Sequence, residues 1–248
     1  MSSTELLVGI CPHDVLVDPE KWTAFTSYVA KSLRVQGKFE KYFSFDTFAQ
    51  QFDKMNFIYA HPIHALQLNK VHGFIPIVKY SSKYDEAVVI CQKGDSDRGI
   101  NFLSGKKVAC AAGSPSHAAL MLDIERNQKE ISFETINKGS YPEIAAMIAS
   151  GQVQFGIILK EVWDDLQSGF PNLTTLYTSY TKELVHVFML SKKLALYENE
   201  LSRVLLGMNT NPEGQELLKR LNCNGLEDFG LEKLSHLETS LKYCKLVF

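Results

Sequence analysis

Short apolar runs alternate with amphipathic helical stretches along almost the whole of this 248-residue chain, and that rhythm limits the folds open to it. "ELLVGICP" reads as an apolar strand stopped at Pro12, whose ring removes a backbone donor. "PEKWTAFTSYVAKSLRVQG" has helical spacing and runs to Gly37, the expected C-cap. "YFSFDTFAQQFDKM" reads as a strand entering a short helix. "NFIYAHPIHALQLNKVHGFIPIVKY" reads as strand, turn at His61 and Pro62, helix capped by Gly73, and strand. "EAVVICQK" and "KKVACAA" follow as strands, then a helix from near Ser116, the strand "ISFETI", and the helix "YPEIAAMIASGQ" closed by Gly151. The strand "VQFGIIL", the short helix "KEVWDDLQSG" and the strands "LTTLYTS" and "LVHVFMLS" come next. Two helices, "LYENELSRVLLGMN" and "NPEGQELLKRLN", complete the pattern. Such alternation predicts an α/β protein with largely parallel sheet.

The order of the elements adds a division. Two α/β segments, one N-terminal and one from Ile90 to Leu184, are joined by the extended runs "EAVVICQK" and "LVHVFMLS". Residues 1–89 with 185–248 are therefore expected to form one lobe and residues 90–184 the other, a clamp with two hinge crossings. Ligands of open α/β sheets bind outside the carboxyl ends of the strands, where His61, Ser114 and His117 are expected.

One junction bears directly on function. In "KKVACAAGSPSHAALMLDIERN" an apolar run breaks into Gly-Ser-Pro-Ser-His and resumes with helical spacing at Leu120, Met121 and Ile124. Strand, loop and helix meet there, and a helix start offers unpaired N–H groups and the positive end of a dipole to an anion. The plainer reading is that Ser114 or Ser116 caps the helix and Pro115 begins it.

Composition excludes several classes. With 26 Lys and Arg against 28 Asp and Glu, scattered among one another, the chain carries a net charge of -2 and no basic face for nucleic acid. No apolar run approaches the roughly 18 residues that would cross a bilayer. The start, "MSSTELLVGICPHD", lacks the basic end and long apolar stretch of a signal peptide. A cytoplasmic location is expected if Met1 is the native start, and a periplasmic one if a signal peptide has been removed. Five cysteines, Cys11, Cys91, Cys110, Cys223 and Cys244, make no close pair and leave one over, which argues against a disulfide framework. There is no CxxC, HExxH, Walker loop or GxGxxG, so the chain is not expected to be an enzyme.

Four stretches resemble the substrate-binding proteins of phosphonate, phosphite and phosphate ABC transporters: "NFIYAHPIHAL", "YDEAVVICQKGDS", "LSGKKVACAAGSPSHAAL" and "NPEGQELLKRLNCNGLEDFGLEKLSHL". The resemblance spans nearly the whole chain and implies a two-lobed type 2 periplasmic-binding-protein clamp that closes over a small anionic solute, without a cofactor. It implies that Ser114, Ser116 and His117 lie on the loop that grips phosphonate oxygens, and that Tyr84 matches a hinge tyrosine facing the ligand. An ABC permease or a sensory kinase would read the closure. Four departures qualify the likeness. Pro115 removes one N–H from the loop, Gly139-Ser140-Tyr141 stands where the family has Gly-Ser-His, and His61 replaces a turn glycine. Lys160 lies close to a position where the family holds an acidic residue, which would repel an aminoalkyl cation and favour an anion. Tyr141, His61 and Lys160 thus join the candidate ligand-binding residues.

Two alternatives stand beside this reading. Cys11, His13, His61 and His117 together offer thiolate and imidazole to haem, a soft metal or a metalloid, as in a cytoplasmic sensor. Against it, a lone cysteine in an apolar strand usually packs, and the spacing is not that of a structural zinc site. An enzyme on the same fold is the other alternative, but no nucleophile and base pair can be read from the residues. Asp164 and Asp165 are adjacent on a short helix and do not face one another. Phe52, Phe57 and Tyr59 alternate as core strand residues should, and His186 lies in the second hinge strand, facing the ligand or bonding within the hinge. The terminal "LKYCKLVF" reads as a last strand or a packed tail.

Overall fold

The computed structural model describes residues 5–15, 18–111 and 113–243. β1 (Glu5–Ile10) leads into the single turn α1 (Pro12–Val15) and then α2 (Pro19–Leu33), whose first turn is capped by the Asp18 carboxylate accepting from the N–H groups of Glu20 and Lys21. β2 (Gln36–Glu40), α3 (Phe45–Ala49), β3 (Phe57–Ala60), α4 (Pro62–His72) and β4 (Phe74–Tyr80) follow. β5 (Ala87–Gln92) passes through two 3-10 segments, Lys93–Arg98 and Ile100–Leu103, to β6 (Lys107–Cys110). Then come α5 (Pro115–Arg126), β7 (Glu134–Asn137), α6 (Tyr141–Ala149), β8 (Phe155–Leu159), α7 (Lys160–Leu166) and β9 (Leu173–Thr178). β10 (Val187–Ser191), α8 (Glu198–Gly207), α9 (Pro212–Arg220), β11 (Leu226–Asp228) and α10 (Leu231–Tyr243) end the described chain.

These strands make two sheets in two compact units. The first sheet has six strands in the order β11-β4-β10-β3-β1-β2, and the second has five in the order β7-β6-β8-β5-β9. β1 runs parallel to β2 and β3, and β6 runs parallel to β7 and β8. β10 is antiparallel to β3 and β4, and β5 is antiparallel to β8 and β9. The expected largely parallel sheet is therefore two mixed ones. Parallel pairing needs a crossover helix between neighbours, whereas β5 and β10 arrive from the other unit and are free to pair in the opposite sense.

The chain passes from the first unit to the second between Lys83 and Tyr84 and back between Leu184 and Val185. The expected first boundary, after residue 89, would have left part of β5 in the first lobe, but all of β5 is hydrogen-bonded within the second sheet. From Leu237 onward α10 also groups with the second unit, where Ser240 Oγ donates to Glu183 Oε2 at 2.6 Å. Both of these elements, α10 and β11, escaped the sequence reading.

Each unit has its own apolar interior. In the first, α2 lays Trp22 and Phe25 on the sheet, and Phe188 of β10 is packed by Tyr59 at 4.5 Å, Phe25 at 5.4 Å and Phe57 at 5.6 Å between ring centroids. Phe57 and Tyr59 do lie in β3, but Phe52 falls in the turn after α3; all three are core residues. Gly37 does not cap α2, since Arg34 takes the left-handed position (φ 56°). Gly37 sits instead in β2, where a Cβ would come within 2.6 Å of Ala30 Cβ, so its missing side chain lets strand and helix touch. The strand expected at Tyr42 likewise lies earlier, at β2. In the second unit, Ile144 and Ile148 of α6 pack on Gly156 of β8 from one side of the sheet. Leu241 to Tyr243 are helical, and Cys244 to Phe248 lie outside the described residues.

Candidate functional site

Strand order marks one edge of each sheet. In the second sheet β6 connects toward β7 on one side while β8, its other neighbour, connects toward β9 on the opposite side. Such a reversal opens a crevice at the carboxyl ends of the two strands, the usual ligand position in open α/β sheets. α5 begins just after β6, α6 after β7 and α7 after β8, so all three helices start along this edge. Tyr84 precedes β5, whose first residue Ala87 pairs with Leu159 at the end of β8, and so it reaches the same edge.

The loop after β6 is built as its sequence dictates. Gly113 takes a left-handed φ of 72°, Ser114 is the N-cap with its hydroxyl accepting from His117 N–H at 3.3 Å, and Pro115 opens the helix. Ser114 and Ser116 hydroxyls are 3.0 Å apart and both residues are fully buried. The capping reading is thus satisfied by Ser114 alone. Ser116 N–H has no acceptor within the helix, because the first-turn amides point out of its end. His117 is part-buried, its Nδ1 lacks a hydrogen-bond partner, and burial holds its pKa below the ordinary value for histidine. Tyr141 is the first residue of α6 and is buried, with Ser140 as the cap. Tyr84 is exposed. Lys160 opens α7, and its Nζ donates to Asp164 Oδ2 at 2.6 Å, so its charge is matched along its own helix.

In the first unit the reversal falls between β1 and β3, since β1 connects toward β2 and β3 toward β4. Cys11 follows β1 and His61 follows β3, while His186 precedes β10, whose Val187 pairs with Ala60. Of the four residues expected to share a soft-metal site, the structure joins Cys11 with His13 and leaves His117 in the other unit. Asp14 and His186 take the remaining places: one ligand atom from each of Cys11, His13, Asp14 and His186 lies within 4.8 Å of all the others. His61 stands beside this group, its ring centroid 6.2 Å from that of His186 and 3.9 Å from that of His64. Burial, and then the neighbouring His64, His186 and His13, hold the His61 pKa well below its ordinary value. The signal for Asp14 was its place after "CPH" in α1; that for His186 was register, which no local pattern carries.

The family model of the periplasmic substrate-binding protein of phosphonate ABC transporters matches residues 14–233. PhnD1 from Prochlorococcus marinus, solved with methylphosphonate, aligns with a TM-score of 0.81 at 17% identity over 98% of this chain and 99% of that one. A binding protein component of an ABC phosphonate transporter from Pseudomonas aeruginosa aligns with a TM-score of 0.75 at 14% identity over 99% of this chain and 89% of that one. A Xanthomonas citri protein bound to chloride gives 0.76 at 17% identity over 97% and 98%. No curated protein matches in sequence. The fold is that of the two-lobed periplasmic binding proteins, with mixed sheets in place of a barrel. The match over residues 14–233 places the chain in the family of phosphonate ABC-transporter substrate-binding proteins, a family that binds solutes and is not one of enzymes.

Proposed function

We propose that the chain takes up a small tetrahedral oxyanion of the phosphonate or phosphate class at the carboxyl edge of its second sheet, and hands it to an ABC permease. The observation that carries the ligand class is the start of α5 at the strand-order reversal, with an outward first-turn amide at Ser116 and a His117 nitrogen that lacks a hydrogen-bond partner. In this reading Ser116 and His117 donate to the anion, Ser114 holds the loop in shape, and Tyr84 and Tyr141 border the site. No described helix is long and apolar enough to cross a membrane, which agrees with delivery to a separate permease. Hydrogen bonds to a charged ligand contribute about 1.5–3 kcal/mol each, so three or four suffice for micromolar binding after ordering costs.

The Lys160 and Asp164 pair refines the ligand. A lysine at the head of α7 disfavours an aminoalkyl group, while its pairing with Asp164 limits its pull on the anion. Calorimetric titration with methylphosphonate, phosphate and 2-aminoethylphosphonate is the test. Micromolar binding of one of the first two, lost in Ser116→Leu with the fold kept by circular dichroism, is expected. Full affinity in Ser116→Leu would overturn the assignment of the site.

A further inference from the structure

A buried thiol, carboxylate and imidazole group in the first unit has no part in the anion reading. Cys11 is fully buried, and His13, Asp14 and His186 present side chains only 4%, 9% and 5% exposed. Cys11 Sγ lies 3.3 Å from His13 Nδ1, and Asp14 Oδ2 lies 3.2 Å from His13 Nε2 and 3.8 Å from His186 Nε2. Among the described residues the ion-pair partners of Asp14 are both imidazoles, so no lysine or arginine balances this buried carboxylate. Next to them His61 is wholly buried with both ring nitrogens lacking a hydrogen-bond partner, and it follows the same pair of strands. A buried carboxylate with a thiol and two imidazoles around it, and no lysine or arginine beside it, is a donor set that suits a cation.

We propose that Cys11, His13, Asp14 and His186 form a binding site for a divalent transition-metal ion of the zinc type. The donor chemistry fits: sulfur, imidazole and carboxylate are the ligands such ions take, most often four in a tetrahedron. Bonds of about 2.0–2.3 Å give donor-to-donor edges of about 3.3–3.7 Å. The 3.3 and 3.2 Å separations reach different nitrogens of His13, so one of them is a donor-to-donor edge; that one and the 3.8 Å between Asp14 and His186 lie close to this scale. Charge fits as well, because a thiolate and a carboxylate neutralise a dication and leave no net charge in the interior. His13 has partners at both nitrogens, so one nitrogen serves the metal and the other orients a neighbouring ligand. Binding releases the Cys11 proton to solvent and forms the metal–sulfur bond, with no change of oxidation state. Its position also fits, since β1, β3 and β10 bring the donors to the strand-order reversal of the first sheet. The site shares no residue with the anion site.

The test uses the whole chain, stripped with a chelator and titrated with Zn2+ against a chromophoric competitor and with Co2+ by absorption. One equivalent of Zn2+ is expected, with tetrahedral Co2+ bands and a thiolate charge-transfer band that disappears in Cys11→Ser. His186→Gln and Asp14→Asn are each expected to weaken Zn2+ binding at least tenfold. Zn2+ binding to the unaltered chain should also release about one proton, from the Cys11 thiol, in weakly buffered solution at neutral pH, which needs no variant to fold. Absence of Zn2+ and Co2+ binding, or stoichiometric binding unchanged in the Cys11→Ser, His186→Gln double variant, would overturn the site. Methylphosphonate titrations with and without chelator keep the two readings apart, since loss of either binding alone leaves the other in place.

Discussion

His64 illustrates how a single buried side chain sets a pH limit on the fold. Its ring is packed by Phe52 at 5.1 Å, Phe48 at 5.7 Å and Phe45 at 6.2 Å, with His61 at 3.9 Å. Burial, then the charges of His186 and His13, push its pKa down to about 3. The groups facing this pocket from other elements are His61 of the β3–α4 turn, His13 and Asp14 of α1, and His186 beside β10. Because the folded value lies below the unfolded value of 6.5, the unfolded chain binds the extra proton between those limits. Stability is therefore unaffected by this group above pH 6.5 and falls as pH drops toward 3, by up to about 1.4 kcal/mol per pH unit. Urea unfolding at pH 7.5, 6 and 5 in the presence of chelator should show at least that slope, since His61 is shifted in the same direction, and His64→Leu should reduce it. An unchanged slope in the variant would remove His64 from the account. Thiols behave in the opposite sense: burial pushes Cys110 up to about 11, so it stays protonated at neutral pH. Cys110 should resist alkylation in the folded protein at pH 8 and react only on unfolding.

At the scale of elements, close approach explains both a prediction and a failure of reading. A Cβ on Gly156 would lie 2.5 Å from Ile144 Cγ2 and 3.3 Å from Ile148 Cγ1, so α6 rests directly on the β8 backbone. Gly156→Val should destabilise by about 1–3 kcal/mol through overpacking, measured by chemical denaturation, and Gly156→Val with Ile144→Ala should recover part of the loss. No recovery would mean that the contact with Ile144 is not what resists the side chain. Gly37 is the same phenomenon seen from the sequence side: a glycine after an amphipathic run reads as a cap, yet here it serves helix-to-strand contact with Ala30. Elements with strong local chemistry were legible, such as α4 between Pro62 and Gly73, and α5 with Ser114 and Pro115. Strand direction was not, because antiparallel β5 and β10 have the same apolar look as their parallel neighbours. For the candidate site, the α5 loop was readable because a cap, a proline and a helix period lie within a few residues. The meeting of His186 with Asp14 was not, since it depends on β10 pairing with a strand far away in sequence.

Over the whole molecule, two interiors and two strand-order reversals give each unit its own candidate site. The chain's net charge of -2 supplies no general attraction for an anion, so recognition has to come from local amides, hydroxyls and imidazole. A ligand that binds only the folded state adds about 2.7 kcal/mol at a hundredfold excess over its dissociation constant. For a chain of this size that corresponds to a rise in melting temperature of about 5–10 °C. Methylphosphonate or phosphate should produce such a rise, and 2-aminoethylphosphonate a smaller one. Hydrogen exchange then locates each effect. The oxyanion is expected to slow exchange at the starts of α5 and α6, in the second unit, whereas Zn2+ is expected to slow it at Cys11 to Val15 and around Val187, in the first. Protection by the oxyanion confined to the first unit would reassign the solute to the β1 and β3 edge. In that case the His61 ring, rather than the Ser116 amide, would become the leading anion donor.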